Sequence, residues 1–170
     1  PSHGGVFVDL CGFDPLFEPI ERLLGDDSII YTMTTSVLAP GSAGPVHEHH
    51  VDLPPERPGR LALSAIVLVD PFTPENGATE FLAGSHRGGV AGIGEPLSVL
   101  GEPGDVCYFD PRALHRSTLN RTGAPRRADA ASSRDSRNDT SAVYSSAVGA
   151  GPPGGGIMRP RSLRSVCSKT

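Results

Sequence analysis

The residues of this chain best suited to chemistry are His50 and Asp52, in the segment His50-Val51-Asp52, and a further histidine at His115. Two imidazoles and one carboxylate make up a facial triad, which occupies one face of an octahedral ferrous ion and leaves the other positions open. A metal held that way can take a chelating co-substrate and O2, whereas a closed four-ligand site has no vacancy for chemistry. The pattern points to a redox enzyme. Successive side chains of a strand point to opposite faces, so His50 and Asp52 project together while Val51 turns away. His115 stands 63 residues beyond Asp52, after the apolar run Asp105-Val106-Cys107-Tyr108-Phe109-Asp110, as suits a donor brought back by a neighbouring strand of a barrel.

The elements that must position these donors follow from periodicity. Strands are expected at about residues 28–39, 46–52, 61–70, 78–83, 96–100, 105–110 and 115–120, separated by Gly and Pro turns. Many short strands punctuated in this way form a sandwich or jelly roll. The segment from Pro15 to Leu24 carries apolar residues at helical spacing and stops at Gly25, which predicts a short helix covering one sheet.

The text between and after the donors is more specific than the donors themselves. A buried strand, Leu61 to Asp70, is followed by Pro74-Glu75-Asn76-Gly77-Ala78-Thr79-Glu80-Phe81-Leu82-Ala83-Gly84-Ser85-His86-Arg87, then by Gly104-Asp105-Val106, His115 and Arg126. Over roughly residues 28–127 this order closely resembles the phytanoyl-CoA dioxygenase family. The family carries an Asn-Gly turn, a short strand and a Gly-Ser-His segment between its iron motif and its distal histidine, then an arginine that grips 2-oxoglutarate. The resemblance implies a mainly β, cupin-like double-stranded β-helix and an iron(II)/2-oxoglutarate-dependent dioxygenase that uses O2. It implies His50, Asp52 and His115 as iron ligands, with Arg126 and Ser117 holding the distal carboxylate of 2-oxoglutarate. The chemistry of those residues agrees. A planar guanidinium pairs with a carboxylate in bidentate fashion, and Ser117, two residues after His115, would share its face and could donate a hydroxyl. Of the adjacent pair Arg126-Arg127, only one can face inward on a strand, and the family spacing selects Arg126. Related halogenases replace the carboxylate ligand by a small residue. Asp52 therefore implies hydroxylation or another oxidation of a small molecule, with release of succinate and CO2.

Other histidines compete for these roles. His47 and His49 precede His50 in Pro45-Val46-His47-Glu48-His49-His50, so the register is ambiguous, although alternation groups Glu48 with His50 and Asp52 and turns His47 and His49 away. Those two are read as rim or loop residues open to a substrate role, and His86 as structural. Tyr31, Thr32, Thr34 and Ser36 lie on an upstream strand whose inner face could line the co-substrate pocket. The loops Leu53 to Gly59 and Gly88 to Gly94 are candidate rims and equally plain connections.

Composition sets bounds on the rest. At 170 residues there is room for one core, and no apolar run is long enough to span a membrane. Three widely spaced cysteines, Cys11, Cys107 and Cys167, read as free thiols in a reducing, cytoplasmic compartment. Residues 1–127 carry 9 arginines against 16 acidic residues, which argues against nucleic acid as a partner. Fourteen arginines against a single lysine suggest GC-rich coding and a bacterial source. No exposed helical stripe or repeat signals a partner subunit.

The two ends fit the picture less well. The chain opens at Pro1 without an initiator methionine, so a fragment lacking substrate-binding elements is expected. A dioxygenase domain is expected over residues 1–127. After Arg127, where a family member would continue with an alternating apolar strand, the sequence reads Ala128-Asp129-Ala130-Ala131-Ser132-Ser133-Arg134-Asp135. The last 43 residues hold nine serines and no phenylalanine. Such a segment buries too little apolar surface to offset its ordering entropy, so residues 128–170 are expected to form a largely disordered tail, or one that arose from a change of reading frame near codon 128. The family reading therefore stands beside a second, a non-catalytic or decayed member that keeps the triad as a binding module. A third, a cupin-like metalloprotein without 2-oxoglutarate, leaves Ser117 and Arg126 unexplained. Translating the encoding DNA in its other two frames checks the frame change. A frame change requires an alternating apolar strand after Arg127 in one of them, and its absence from both removes that origin.

Overall fold

The computed structural model describes residues 5–53, 62–87 and 94–135. Among these residues two helices, α1 (Gly5–Cys11) and α2 (Asp14–Leu24), precede seven strands: β1 (Ser28–Leu38), β2 (Ala62–Leu68), β3 (Thr79–Leu82), β4 (Pro96–Ser98), β5 (Val106–Phe109), β6 (His115–Ser117) and β7 (Arg126–Asp135). Pro15 sits in the first turn of α2, where its missing N–H costs nothing. Leu16, Phe17, Ile20 and Leu24 all bury the same stripe. The helix ends at Gly25, whose φ of 95° suits glycine and whose N–H donates to Glu21 O at 2.7 Å. Pro19 removes the donor that would serve the carbonyl of Pro15. The Tyr108 hydroxyl of β5 reaches this turn instead, donating to Leu16 O at 2.8 Å and lying 3.4 Å from Pro15 O.

Four strands form one antiparallel sheet in the order β1-β7-β2-β5, and three form a second in the order β4-β3-β6. Side-chain alternation divides the first sheet's surroundings into two layers. Ala65 faces α2 with Leu16, Phe17, Ile20 and Leu24. Ile66, Leu68 and Ala128 face the other way, into a cluster with Phe72, Ala78, Phe81, Cys107 and Phe109. The rings of Phe81 on β3 and Phe109 on β5 meet at 4.9 Å and join the two sheets. This is the jelly-roll arrangement expected, with α2 as the covering helix.

Two expectations need correction. Residues 46–52 do not form a regular strand. The segment touches the second sheet through an isolated antiparallel bridge, His50 to His115. The domain boundary expected at residue 127 is also too early, because β7 runs to Asp135 and is a central strand, paired with β1 over its length and with β2 from Ala128 to Arg134. Its sequence looked too polar for this. A strand paired on both sides satisfies its backbone internally, and Ala128, Ala131, Ser132 and Ser133 are small enough to be buried between layers without a large apolar side chain. Residues 136–170 lie outside the described residues.

The start of β7 is pinned by Asp70. Arg127 donates from its backbone N–H to Asp70 Oδ2 at 2.7 Å, from Nε to Oδ2 at 2.9 Å and from Nη2 to Oδ1 at 2.6 Å. Hydrogen bonds from the Arg127 side chain hold the Asp70 carboxyl below its ordinary value of 3.8, against the opposing effect of burial. A depressed carboxyl pKa contributes stability above the unfolded value that is lost as pH falls through the folded value. Asp70→Asn is expected to lower Tm at pH 7, and the gap from wild type to close below pH 3.8. Paired melting curves across pH 2–7 check it, and a gap independent of pH contradicts it.

Candidate metal centre

His115 opens β6, hydrogen-bonded on one side to β3, where it pairs with Phe81, and on the other to His50. His50 and His115 exchange backbone bonds in both directions, each at 3.0 Å. The chain around His50 is held to this edge by single contacts: Ser117 donates to Val46 O at 3.0 Å, and Asp52 and Leu53 donate to Pro111 O at 2.8 and 3.0 Å.

The side chains then converge. His50 Nδ1 lies 3.0 Å from Glu48 O, and His115 Nδ1 lies 2.9 Å from Ala113 O. A carbonyl can only accept, so each Nδ1 carries a proton, and in the neutral ring Nε2 is then the atom with the lone pair. Each Nε2 is 3.7 Å from Asp52 Oδ1, and one donor atom from each of the three residues lies within 4.8 Å of the others. His115 is buried against Phe81 and Phe109, with ring centroids at 5.3 and 5.0 Å. Burial pushes the His115 imidazole below its ordinary value of 6.5, outweighing the Ala113 hydrogen bond and the Asp52 carboxylate, so it is neutral and able to ligate. Two imidazoles beside one carboxylate are a donor set that fits a first-row divalent metal.

Arg126 and Arg127 take opposite faces of β7. Arg127 is exposed on Asp70, whereas Arg126 is only 4% exposed. Its Nη2 donates to Gly77 O at 3.0 Å and its guanidinium carbon lies 4.1 Å above the Phe72 ring. The buried Nε has no hydrogen-bond partner, and among the described residues no carboxylate pairs with Arg126. Burial pushes its pKa below the ordinary value. A buried cation in this condition is costly, and an anionic ligand would relieve the cost. The cradle depends on Gly77, whose φ is 82° and where a Cβ would stand 2.3 Å from Leu38 Cδ2 and 2.8 Å from Thr118 O.

Other predicted residues are more scattered. Ser117 is half-buried on β6, paired with Thr79, and no hydrogen bond joins its hydroxyl to Arg126. His47 is exposed, its Nδ1 3.1 Å from Gly44 O. His86 lies in a 3-10 turn, Ser85–Arg87. On β1, Thr32, Thr34 and Ser36 are exposed, while the half-buried Tyr31 sits at a register shift with Arg134 over its ring at 5.3 Å. Of the two candidate rims, residues 54–59 and 88–93 lie outside the described residues. Sequence reasoning missed Phe81 and Phe109 as the walls around His115. Their places in strands with inward alternation were the available signal.

The family model described as Phytanoyl-CoA dioxygenase (PhyH) matches residues 12–128. The chain belongs to the phytanoyl-CoA dioxygenase family. It is similar to a methylphosphonate hydroxylase of Gimesia maris, 29% identical over 120 residues that cover 62% of this chain and 45% of that protein. The family member described here thus spans about half the length of that curated relative. Among solved structures it resembles EctD from S. alaskensis with 2-oxoglutarate and 5-hydroxyectoine, at 25% identity and a TM-score of 0.70, over 80% of this chain and 54% of that one. It also shares its fold with HygX from Streptomyces hygroscopicus with nickel, 2-oxoglutarate and hygromycin B bound. There the identity is 16% and the TM-score 0.65, over 78% of this chain and 66% of that one. Among the described residues no helix is long and apolar enough to cross a membrane.

Gly77→Ala is expected to cost about 1–3 kcal/mol, since it forces a side chain into a left-handed backbone position against Leu38. Urea unfolding measures it, and a loss under about 0.5 kcal/mol, the range of a neutral surface change, would show that the turn can relax.

Proposed function

We propose that this chain is an iron(II)/2-oxoglutarate-dependent oxygenase acting on a small molecule. In this reading His50, Asp52 and His115 are the metal ligands, and Arg126, with Ser117, receives the distal carboxylate of 2-oxoglutarate. Iron and 2-oxoglutarate together supply the oxidation of an unactivated C–H bond by O2 to a C–O–H group, with succinate and CO2 as co-products. The observation that carries the proposal is the pairing of a convergent His-Asp-His donor set with a buried guanidinium lacking an anion, in a member of this family.

The residues divide the work. Hydrogen bonds from Nδ1 to Glu48 and Ala113 orient the two imidazoles, so each presents Nε2. Asp52 supplies the one negative charge of the donor set, and its presence favours hydroxylation over halogenation. Arg126 offers a fixed cation whose Nε and remaining N–H groups are free for a bidentate carboxylate. Phe81 and Phe109 wall the buried side of His115 and exclude water there. The substrate class follows the similar proteins only at the level of a small molecule. The acidic balance of the domain disfavours nucleic acid, and the reduced cysteines Cys11 and Cys107 suit the cytoplasm.

A non-catalytic family member that keeps the triad is the second reading. The feature in its favour is β7, whose buried Ala and Ser positions pack little apolar surface in a central strand.

Anaerobic titration with Fe(II) and 2-oxoglutarate separates the two, read by the weak visible charge-transfer band of the chelate. His115→Ala is expected to abolish the band. Arg126→Ala is expected to raise the Kd for 2-oxoglutarate by at least about 30-fold, the effect of truncating one side of a buried charge pair. Folded wild-type protein that gives no band supports the second reading instead.

A further inference from the structure

On the face of β3 and β6 turned away from the donors, one carboxylate stands behind both histidines. Glu80 and Arg116 are direct cross-strand partners. Arg116 Nε donates to Glu80 Oε1 at 2.9 Å, and Nη2 lies 2.9 Å from the same oxygen. His49 Nε2 lies 3.5 Å from that oxygen as well, buried and with no hydrogen-bond partner of its own among the described residues. The Glu80 side chain is 14% exposed, so this is no solvated surface pair of negligible worth.

Each member of the cluster is the chain neighbour of a residue at the centre. Glu80 precedes Phe81, which stacks on His115; Arg116 follows His115; His49 precedes His50. Alternation turns one residue of each pair to the centre and the other to Glu80. We infer that Glu80 is a positioning residue for the metal centre: through Arg116 it fixes the strand that carries His115, and through His49 it fastens the irregular segment that carries His50 and Asp52. The inference rests on the ligand assignment proposed above. It also gives a role to His49, which supplies no donor to the convergent set.

The need for such a fastening is visible in the backbone. Residues 46–53 have no regular ladder, only the His50–His115 bridge and single bonds from Ser117 to Val46 and from Asp52 and Leu53 to Pro111. Three donors must keep their mutual spacing for tight binding, and groups that orient ligands from behind are worth about ten- to a hundredfold in metal affinity. Without the Glu80 charge, Arg116 loses its partner and His49 loses the one carboxylate that faces it among the described residues, so the donor-bearing segment loses a side-chain tie to β3.

The test is Co(II) binding to the full chain under conditions where circular dichroism shows it folded, followed by the ligand-field spectrum, which reports donor geometry. Glu80→Gln is expected to weaken Co(II) binding about ten- to a hundredfold and to alter the spectrum. Arg116→Lys, which keeps the charge pair, is expected to retain most of the affinity. Wild-type Kd and spectrum in Glu80→Gln, even with a lower Tm, would overturn the inference and leave a purely structural ion pair. If Glu80→Gln does not fold, His49→Gln decides: weaker cobalt binding supports the fastening and unchanged binding overturns it. A wild-type chain that takes up no cobalt overturns the ligand assignment and this inference together, whereas equal binding by wild type and variants removes only this inference.

Discussion

The exchange of backbone hydrogen bonds between His50 and His115 is the constraint on which the centre depends. It joins an irregular segment to the edge of the second sheet at one point, and that point is where two of the three donors stand. An antiparallel pair that exchanges both bonds fixes the separation of its two residues on the sheet. The imidazoles extend from it to ring centroids 4.3 Å apart, and Asp52, two residues on, is held beside them by its backbone bond to Pro111 O. Burial of His115 then favours its neutral form, and the hydrogen bond to Ala113 places the proton on Nδ1. Position comes from main chain and ligand chemistry from side chains, and the two converge on the same few residues.

The second dependence runs through β7. Its central place brings Arg126 over the Phe72 ring and beside the Gly77 carbonyl, while the adjacent Arg127 is drawn outward to Asp70. One arginine is matched by a carboxylate at the surface, and the other is buried without one among the described residues. Unpaired burial of that kind persists in a fold only when the surroundings determine it, and here the ring, the carbonyl and a glycine that admits no Cβ do so.

Much of this was legible in the sequence because it depends on period two. The alternation that sorted Arg126 from Arg127, and His50 and Asp52 from Val51, is a property of extended chain whether or not a full ladder forms. For that reason the grouping of His50 with Asp52 survives although residues 46–52 are not a regular strand. The helix Asp14–Leu24 was legible for a similar reason, its apolar stripe and terminal glycine being local signals. What escaped was non-local. Ala128 to Asp135 carry no apolar pattern, and their place between β1 and β2 is decided by backbone pairing on both sides, which side-chain hydropathy does not report. The aromatic walls of His115 and the Glu80–Arg116 pair likewise depend on which strands are neighbours, and that order is a property of topology.

The distribution of charge supports an oxygenase centre more strongly than a bare metal-binding module. A module needs only donors, and His50, Asp52 and His115 would suffice. Arg126 belongs to a different requirement, since a buried guanidinium adds nothing to metal affinity and repels a cation brought near it. Gly77 O and the Phe72 ring offset part of its cost, and an anion on the inner face of the first sheet, beside small residues such as Ala128 and Ala130 that share that face by alternation, would offset the rest. A divalent metal and a carboxylate-bearing ligand are therefore complementary demands of one fold. A metal would be held at the edge that joins His50 to His115, and an anion would be answered by a central strand whose small side chains leave the arginine as its one large inward group between Arg126 and Ser132.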